Sequence, residues 1–293
     1  MAKHQDVISN ETGANYKDTV FRKLFHDEKR AIELCNAVAG TNYPDDVPVE
    51  IYSLDSGSLL ARYNDVAFSI DSEVIVMCEH QSTISPNMAL RFLAYISNTI
   101  YKNFALGRKL YSRKLLKIPT PKFYVLYNGK EKLKETTLRL SSAYMLKEDE
   151  AKLELIVSVI DINHESAGTI LSRSPSLKGY AYLIAEIEKR MVDGVPQDKA
   201  IKEGVELCIR QDVLARFLKE NYEEVCRMLN LQYDAETESK VIRSESREEG
   251  RKEGREEEKL DFARKLLADG VETEKIIKWT GLDTETLNEL RKV

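Results

Sequence analysis

Glu79 and Gln81 stand two residues apart at the end of the run Glu73-Val74-Ile75-Val76-Met77-Cys78-Glu79-His80-Gln81. The five apolar residues from Val74 to Cys78 predict a strand buried on both faces. Side chains repeat every two residues along a strand, so Glu79 and Gln81 project from one face. A carboxylate at the end of a buried strand is costly unless it is paired or bound to a metal. A second acid, Asp65, lies on the preceding strand candidate, in Arg62-Tyr63-Asn64-Asp65-Val66-Ala67-Phe68. Two carboxylates that converge repel each other when both are ionised, and a hard divalent cation with oxygen ligands resolves the repulsion.

Register decides whether the two acids meet. A three-residue connection, Asp71 to Glu73, places Asp65 directly opposite Glu79, with Cβ atoms about 5 Å apart. A two-residue turn places them on opposite faces unless a bulge restores the alignment. The competing reading is an edge hairpin whose Asp and Glu face solvent. His80 falls between Glu79 and Gln81 and so points to the other face, as a core histidine. Asp161 and Glu165 follow a later strand candidate, where turn chemistry accounts for them as well as a second acidic site does.

The elements that must hold these groups read as mixed α/β. Strands are expected at 62–70, 73–81, 122–128 and Leu153 to Ile160. A helix from about Asn87 to Phe104 carries Met88, Phe92, Tyr95, Ile96 and Ile100 on one stripe. A strand, a long crossover helix and a further strand predict a parallel βαβ unit. The chain divides into residues 1–165, a helical extension over 166–234, a charged helix or linker over 235–259, and a small helical module over 260–293. In that module Phe262, Leu266 and Leu267 lie on a helix ending at Gly270. Ile276, Ile277 and Trp279 lie on a second helix, with Trp279 expected in the core, and Leu282, Leu287 and Leu290 on a third.

The 293 residues carry 44 Lys plus Arg against 49 Asp plus Glu, for a formal net charge of −5. That balance excludes a histone-like protein, but it hides a local asymmetry. Between His80 and Lys130 there is no Asp or Glu, while nine cations occur: Arg91, Lys102, Arg108, Lys109, Arg113, Lys114, Lys117, Lys122 and Lys130. A one-signed stretch of this kind attracts phosphate backbones through counterion release. Tyr101, Phe104, Tyr111 and Phe123 are interleaved with the cations and are placed to stack on bases. No apolar run approaches the ~18 residues of a membrane span. The N-terminus shows no apolar signal region, and Cys35, Cys78, Cys208 and Cys226 form no C-x-x-C pair. The expectation is a reduced protein of the cytoplasm, without a membrane partner.

Taken in order, several segments resemble the recombination-promoting nuclease / putative transposase family of the PD-(D/E)XK nuclease superfamily. They are Asp18-Thr19-Val20-Phe21-Arg22-Lys23-Leu24-Phe25, Arg62-Tyr63-Asn64-Asp65, Glu79-His80-Gln81-Ser82, Asn87-Met88-Ala89-Leu90-Arg91-Phe92-Leu93-Ala94-Tyr95 and Leu126-Tyr127-Asn128-Gly129. The Arg-Glu-Glu-Gly tail and the closing Thr280-Gly281-Leu282 module are similar as well. The resemblance implies a restriction-endonuclease-like mixed central sheet flanked by helices, followed by an all-helical C-terminal region. It also implies a bacterial, Mg2+-dependent DNA endonuclease using one or two ions, with Asp65 and Glu79 as metal ligands. Gln81 takes the superfamily's lysine position and would orient the nucleophile without bringing a charge. Arg91 is the expected replacement cation, and Asp18 a further acid. Lys102, Arg108, Lys109, Arg113 and Lys114 would grip DNA, and a homodimer is expected through the charged C-terminal arm. The alternative is a catalytically inactive nuclease fold kept as a DNA-binding or assembly module.

Overall fold

The computed structural model describes residues 19–52, 65–104, 110–146, 151–163 and 168–290. The chain divides into two compact units between Gln232 and Tyr233. In the first, strands β1 (Val49–Tyr52), β2 (Asp65–Ile70), β3 (Val74–Gln81), β4 (Thr120–Tyr127), β5 (Thr137–Arg139) and β6 (Ile156–Asp161) form one mixed sheet. Their order is β1-β2-β3-β4-β6-β5. The pairs β1–β2, β2–β3 and β5–β6 are antiparallel, whereas β3–β4 and β4–β6 are parallel. The unbroken apolar runs of β3 and β4 thus lie in the middle of the sheet, where both faces are covered. The two edge strands are short, four and three residues, and mostly exposed or half-buried.

The β2–β3 connection is the three-residue Asp71-Ser72-Glu73. Asp71 and Ser72 take left-handed backbone conformations (φ 50° and 54°), and the Glu73 amide donates to the Ile70 carbonyl at 3.0 Å. Ile70 therefore pairs with Val74, and Asp65 with Glu79. The two-residue alternative does not occur.

Helix α1 (Val20–Phe25) is capped by Thr19, whose hydroxyl accepts from the Arg22 amide at 3.2 Å. Helix α2 (Glu28–Ala39) is capped by Asp27 and stopped by Gly40 at φ 69°. Helix α3 (Met88–Asn103) is the crossover from β3 to β4. Its 16 residues run about 24 Å at 1.5 Å per residue, the length of the eight-residue strands it bridges. Met88, Phe92, Tyr95 and Ile96 bury against Ile75, Met77, Val125 and Val157 on one sheet face.

Helices α4 (Gly168–Arg173) and α5 (Pro175–Val192) pack against α2. On the sheet face opposite α3, Phe21 and Tyr180 enclose His80, with ring centroids 5.6 and 5.3 Å from the imidazole. Tyr180, in the expected helical extension, thus packs against the buried His80 of the sheet. Helices α6 (Gln197–Arg210) and α7 (Ala215–Glu220) follow, and α8 (Tyr222–Ala268) runs without a break through the charged tract.

In the second unit the end of α8 joins α9 (Thr273–Thr280) and α10 (Thr284–Leu290) around Ala263, Ile276 and Leu287. The sequence expectation for Trp279 fails here, since its side chain is 57% exposed. Ile276 and Thr280, one helical turn apart, take the inner positions of α9, and Trp279 falls on the flank of that stripe. None of the described helices is long and apolar enough to cross a membrane. All four cysteines are buried free thiols.

Candidate functional site

The C-terminal end of β3 carries the candidate groups. Glu79 is 4% exposed and Gln81 9%. Their two-residue spacing puts both on the face covered by α3. The short connection from Gln81 brings the first turns of α3 over them, so Met88, Arg91 and Tyr95 descend on the carboxylate at i, i+3 and i+7.

Glu79 Oε1 accepts from Gln81 Nε2 at 2.6 Å and lies 2.7 Å from Arg91 Nη1. Gln81 Nε2 also meets Met88 Sδ at 3.0 Å, and Gln81 Oε1 accepts from the Ser85 amide at 3.0 Å. Arg91 donates through Nε and Nη2 to the Tyr95 hydroxyl at 3.2 and 3.0 Å. The other carboxylate oxygen, Glu79 Oε2, is buried and has no hydrogen-bond partner among the described residues. An ionised oxygen in that state is expensive. The carboxylate is thus neutralised through Oε1 by a guanidinium, while Oε2 is enclosed without a polar partner among the described residues.

Asp65 holds the register position opposite Glu79; only its backbone is described. Asp18 lies outside the described residues, as do Arg108, Lys109 and Glu165. Gln81 stands beside Glu79 as expected, but its amide is committed to Glu79, Met88 and Ser85. In this structure it orients the carboxylate and does not point a free donor at a water.

The turn after β4 closes over the same sheet end. A Cβ at Gly129 would collide with the Ser82 carbonyl and the Tyr127 hydroxyl, so only glycine lets the two connections approach. Asn163 Nδ2 donates to the Gly129 carbonyl at 3.0 Å and to Asp161 Oδ1 at 2.9 Å. The Asp161 carboxylate therefore serves the turn. No group of three or more His, Cys, Asp or Glu residues gathers among the described residues.

His80 is 1% exposed on the opposite face. Its Nδ1 lies 3.5 Å from the Tyr180 hydroxyl, and Nε2 has no hydrogen-bond partner among the described residues. Burial pushes its pKa down to about 4, so the ring is neutral and acts as core.

The acid-free window does not form one wall beside the acids. Arg91 touches Glu79, and Lys130 follows the β4 strand at the same sheet end. Lys102 closes α3, and the segment containing Arg113, Lys114 and Lys117 enters β4 at Thr120, which pairs with Val74. From Val74 to Glu79 and Gln81 is five to seven residue steps, or about 16–23 Å. The crossover topology forces this split, because α3 carries the chain back to the start of the parallel strand. Phe104 and Phe123 are also unavailable for stacking: Phe104 packs edge-on against Tyr52, and Phe123 against Phe92 at 5.3 Å.

Sequence reasoning did not assign Tyr95 or Met88 to this site. Both fit the apolar stripe of α3, and only the position of Arg91 between them on the helix hints that polar atoms are shared. Comparison with protein-family models, with curated proteins and with solved structures gives no match to this chain.

Proposed function

We propose that the chain is a divalent-metal-dependent endonuclease acting on DNA, with Asp65 and Glu79 as its metal-holding carboxylates. The observation that carries this reading is the pairing of Asp65 with Glu79 across β2 and β3, where Glu79 presents a buried, partnerless Oε2. A buried oxygen of this kind fits a hard cation. Helix, three-stranded antiparallel meander, crossover helix and parallel strand are also consistent with the restriction-endonuclease-like sheet that the resemblance implies. Mg2+ bound there would supply Lewis-acid activation of water and of the scissile phosphate oxygen.

The protein's own groups have distinct tasks in this account. Gln81 fixes the rotamer of Glu79 through Oε1, leaving Oε2 for the ion. Arg91 balances the carboxylate charge while the site waits for a ligand. With a divalent ion held at Glu79, the Arg91 guanidinium would be available to a phosphate oxygen, the charge-bearing task a superfamily lysine would perform. Met88 and Tyr95 hold it in place for that exchange.

One observation favours the second reading, a nuclease fold without turnover. Oε1 is saturated by Arg91 and Gln81, a pattern that also suits a purely structural ion pair. Supercoiled plasmid separates the two. With Mg2+, the full chain is expected to nick it, and Asp65→Ala and Glu79→Gln to abolish nicking. Failure of the native chain to cleave in Mg2+ or Mn2+, with plasmid binding intact, would favour the inactive module. A dimer through the charged length of α8 belongs to the same proposal and is read by sizing the full chain against one ending near Tyr233.

A further inference from the structure

The connection into β4 carries a surface that the carboxylate site does not use. Within residues 110–118, Tyr111 is 90% exposed, Leu115 82% and Leu110 57%. Tyr101, on the last turn of α3, is 62% exposed. Arg113, Lys114 and Lys117 lie within the same segment 110–118, and none of the three side chains has an ion-pair or hydrogen-bond partner among the described residues. Several other cations are paired, among them Arg91 with Glu79, Arg190 with Glu186, Lys202 with Asp198 and Arg216 with Glu220. Asp71 and Glu73 belong to the same end of the sheet, where the Thr120 amide donates to the Glu73 carbonyl at 2.7 Å. Neither forms an ion pair with the three cations.

Uncovered rings and aliphatic chains beside unneutralised cations match a ligand with flat apolar faces and a repeating negative charge. We infer that this surface binds single-stranded nucleic acid, with Tyr111 as a base-stacking platform and Arg113, Lys114 and Lys117 on successive phosphates. Stacking selects the unpaired strand, because duplex bases are already covered on both faces. A lipid surface is the weaker match, since residues 112–119 are irregular and form no amphipathic helix to lie in an interface. The inference deepens the endonuclease reading, and rests on it, only in making DNA with an unpaired tract the preferred substrate. The binding itself stands apart from cleavage.

The test uses the full chain in EDTA and a fluorescein-labelled oligothymidylate of about 20 nucleotides, followed by anisotropy. The native chain is expected to bind. Tyr111→Ala should weaken binding about tenfold, and Tyr111→Phe should restore it. Replacing Arg113, Lys114 and Lys117 together by Gln should lower the slope of log affinity against log salt by about two. All four positions are exposed, so folding is not at stake. The inference is overturned by unchanged affinity in Tyr111→Ala, or by a duplex of equal length that competes as well as the single strand. It is also overturned if phosphatidylserine vesicles bind in a Tyr111-dependent way and the oligonucleotide does not. Tyr111-dependent oligonucleotide binding by a chain that cuts no plasmid supports this surface and counts against the endonuclease reading alone.

Discussion

Replacing Arg91 by methionine tests the exchange of charges at the heart of the site. The side chains of Arg91 and Glu79 are 19% and 5% exposed, with Nη1 and Oε1 2.7 Å apart. Removing one member of a buried pair costs about 3–5 kcal/mol, because the other charge is left without compensation. Arg91 keeps some contact with water and Gln81 still donates to Glu79. Screening and that remaining bond bring the expected loss to the lower end, about 3 kcal/mol. Methionine preserves most of the aliphatic bulk over Tyr95, so little of the loss is packing. Urea unfolding of Arg91→Met in EDTA should show it. Glu79→Gln with Arg91→Met should recover most of it, since neither charge then remains. Mg2+ should stabilise Arg91→Met more than the native chain, because the ion no longer competes with a guanidinium. At a concentration near 100 times the Kd the gain is about 2.7 kcal/mol. The reasoning fails if Arg91→Met loses less than about 1 kcal/mol, or if Mg2+ stabilises Glu79→Gln as much as it stabilises the native chain.

Other perturbations follow from the same geometry. Gly129→Ala forces a Cβ into the Ser82 carbonyl and the Tyr127 hydroxyl and should cost about 2 kcal/mol in urea unfolding, with nicking reduced further by displacement of the turn. His80 stays neutral down to about pH 4 in the folded chain but titrates near pH 6.5 when unfolded. Below about pH 6.5 the unfolded state therefore takes up a proton that the folded state refuses. This contribution is fully present above pH 6.5 and lost as pH falls toward 4, by about 3 kcal/mol in total. His80→Phe should flatten that part of the stability–pH curve. Trp279 is the chain's single tryptophan and is 57% exposed, so its emission should be red-shifted and readily quenched by acrylamide in the native state.

Much of this arrangement is legible in the residues because strand chemistry is strongly periodic. The unbroken apolar run of β3 announces a central strand, and the length of the Asp71-Ser72-Glu73 connection sets the register that pairs residues 65 and 79. The crossover helix is equally plain, since Met88, Phe92, Tyr95 and Ile96 recur at helical spacing. Edge strands escape notice for a physical reason: Val49–Tyr52 and Thr137–Arg139 are too short to establish an alternation. The position of the cations is likewise hidden. Nine of them follow one another along the chain, but a parallel crossover returns to the far end of the sheet, so neighbours in sequence are separated in space. The role of Gln81 depends on side-chain hydrogen bonds to Glu79 and Ser85, which spacing alone does not encode. Trp279 shows the limit of short helices, where one residue's rotation decides between core and flank.

The account stands on residues 65 and 79 holding a divalent ion together. Calorimetric titration of Mn2+ into the full chain measures that directly. Saturable binding is predicted for the native protein, with Asp65→Asn and Glu79→Gln each abolishing it while Asp161→Asn leaves it in place. Undiminished Mn2+ affinity in either of the first two variants would contradict the account.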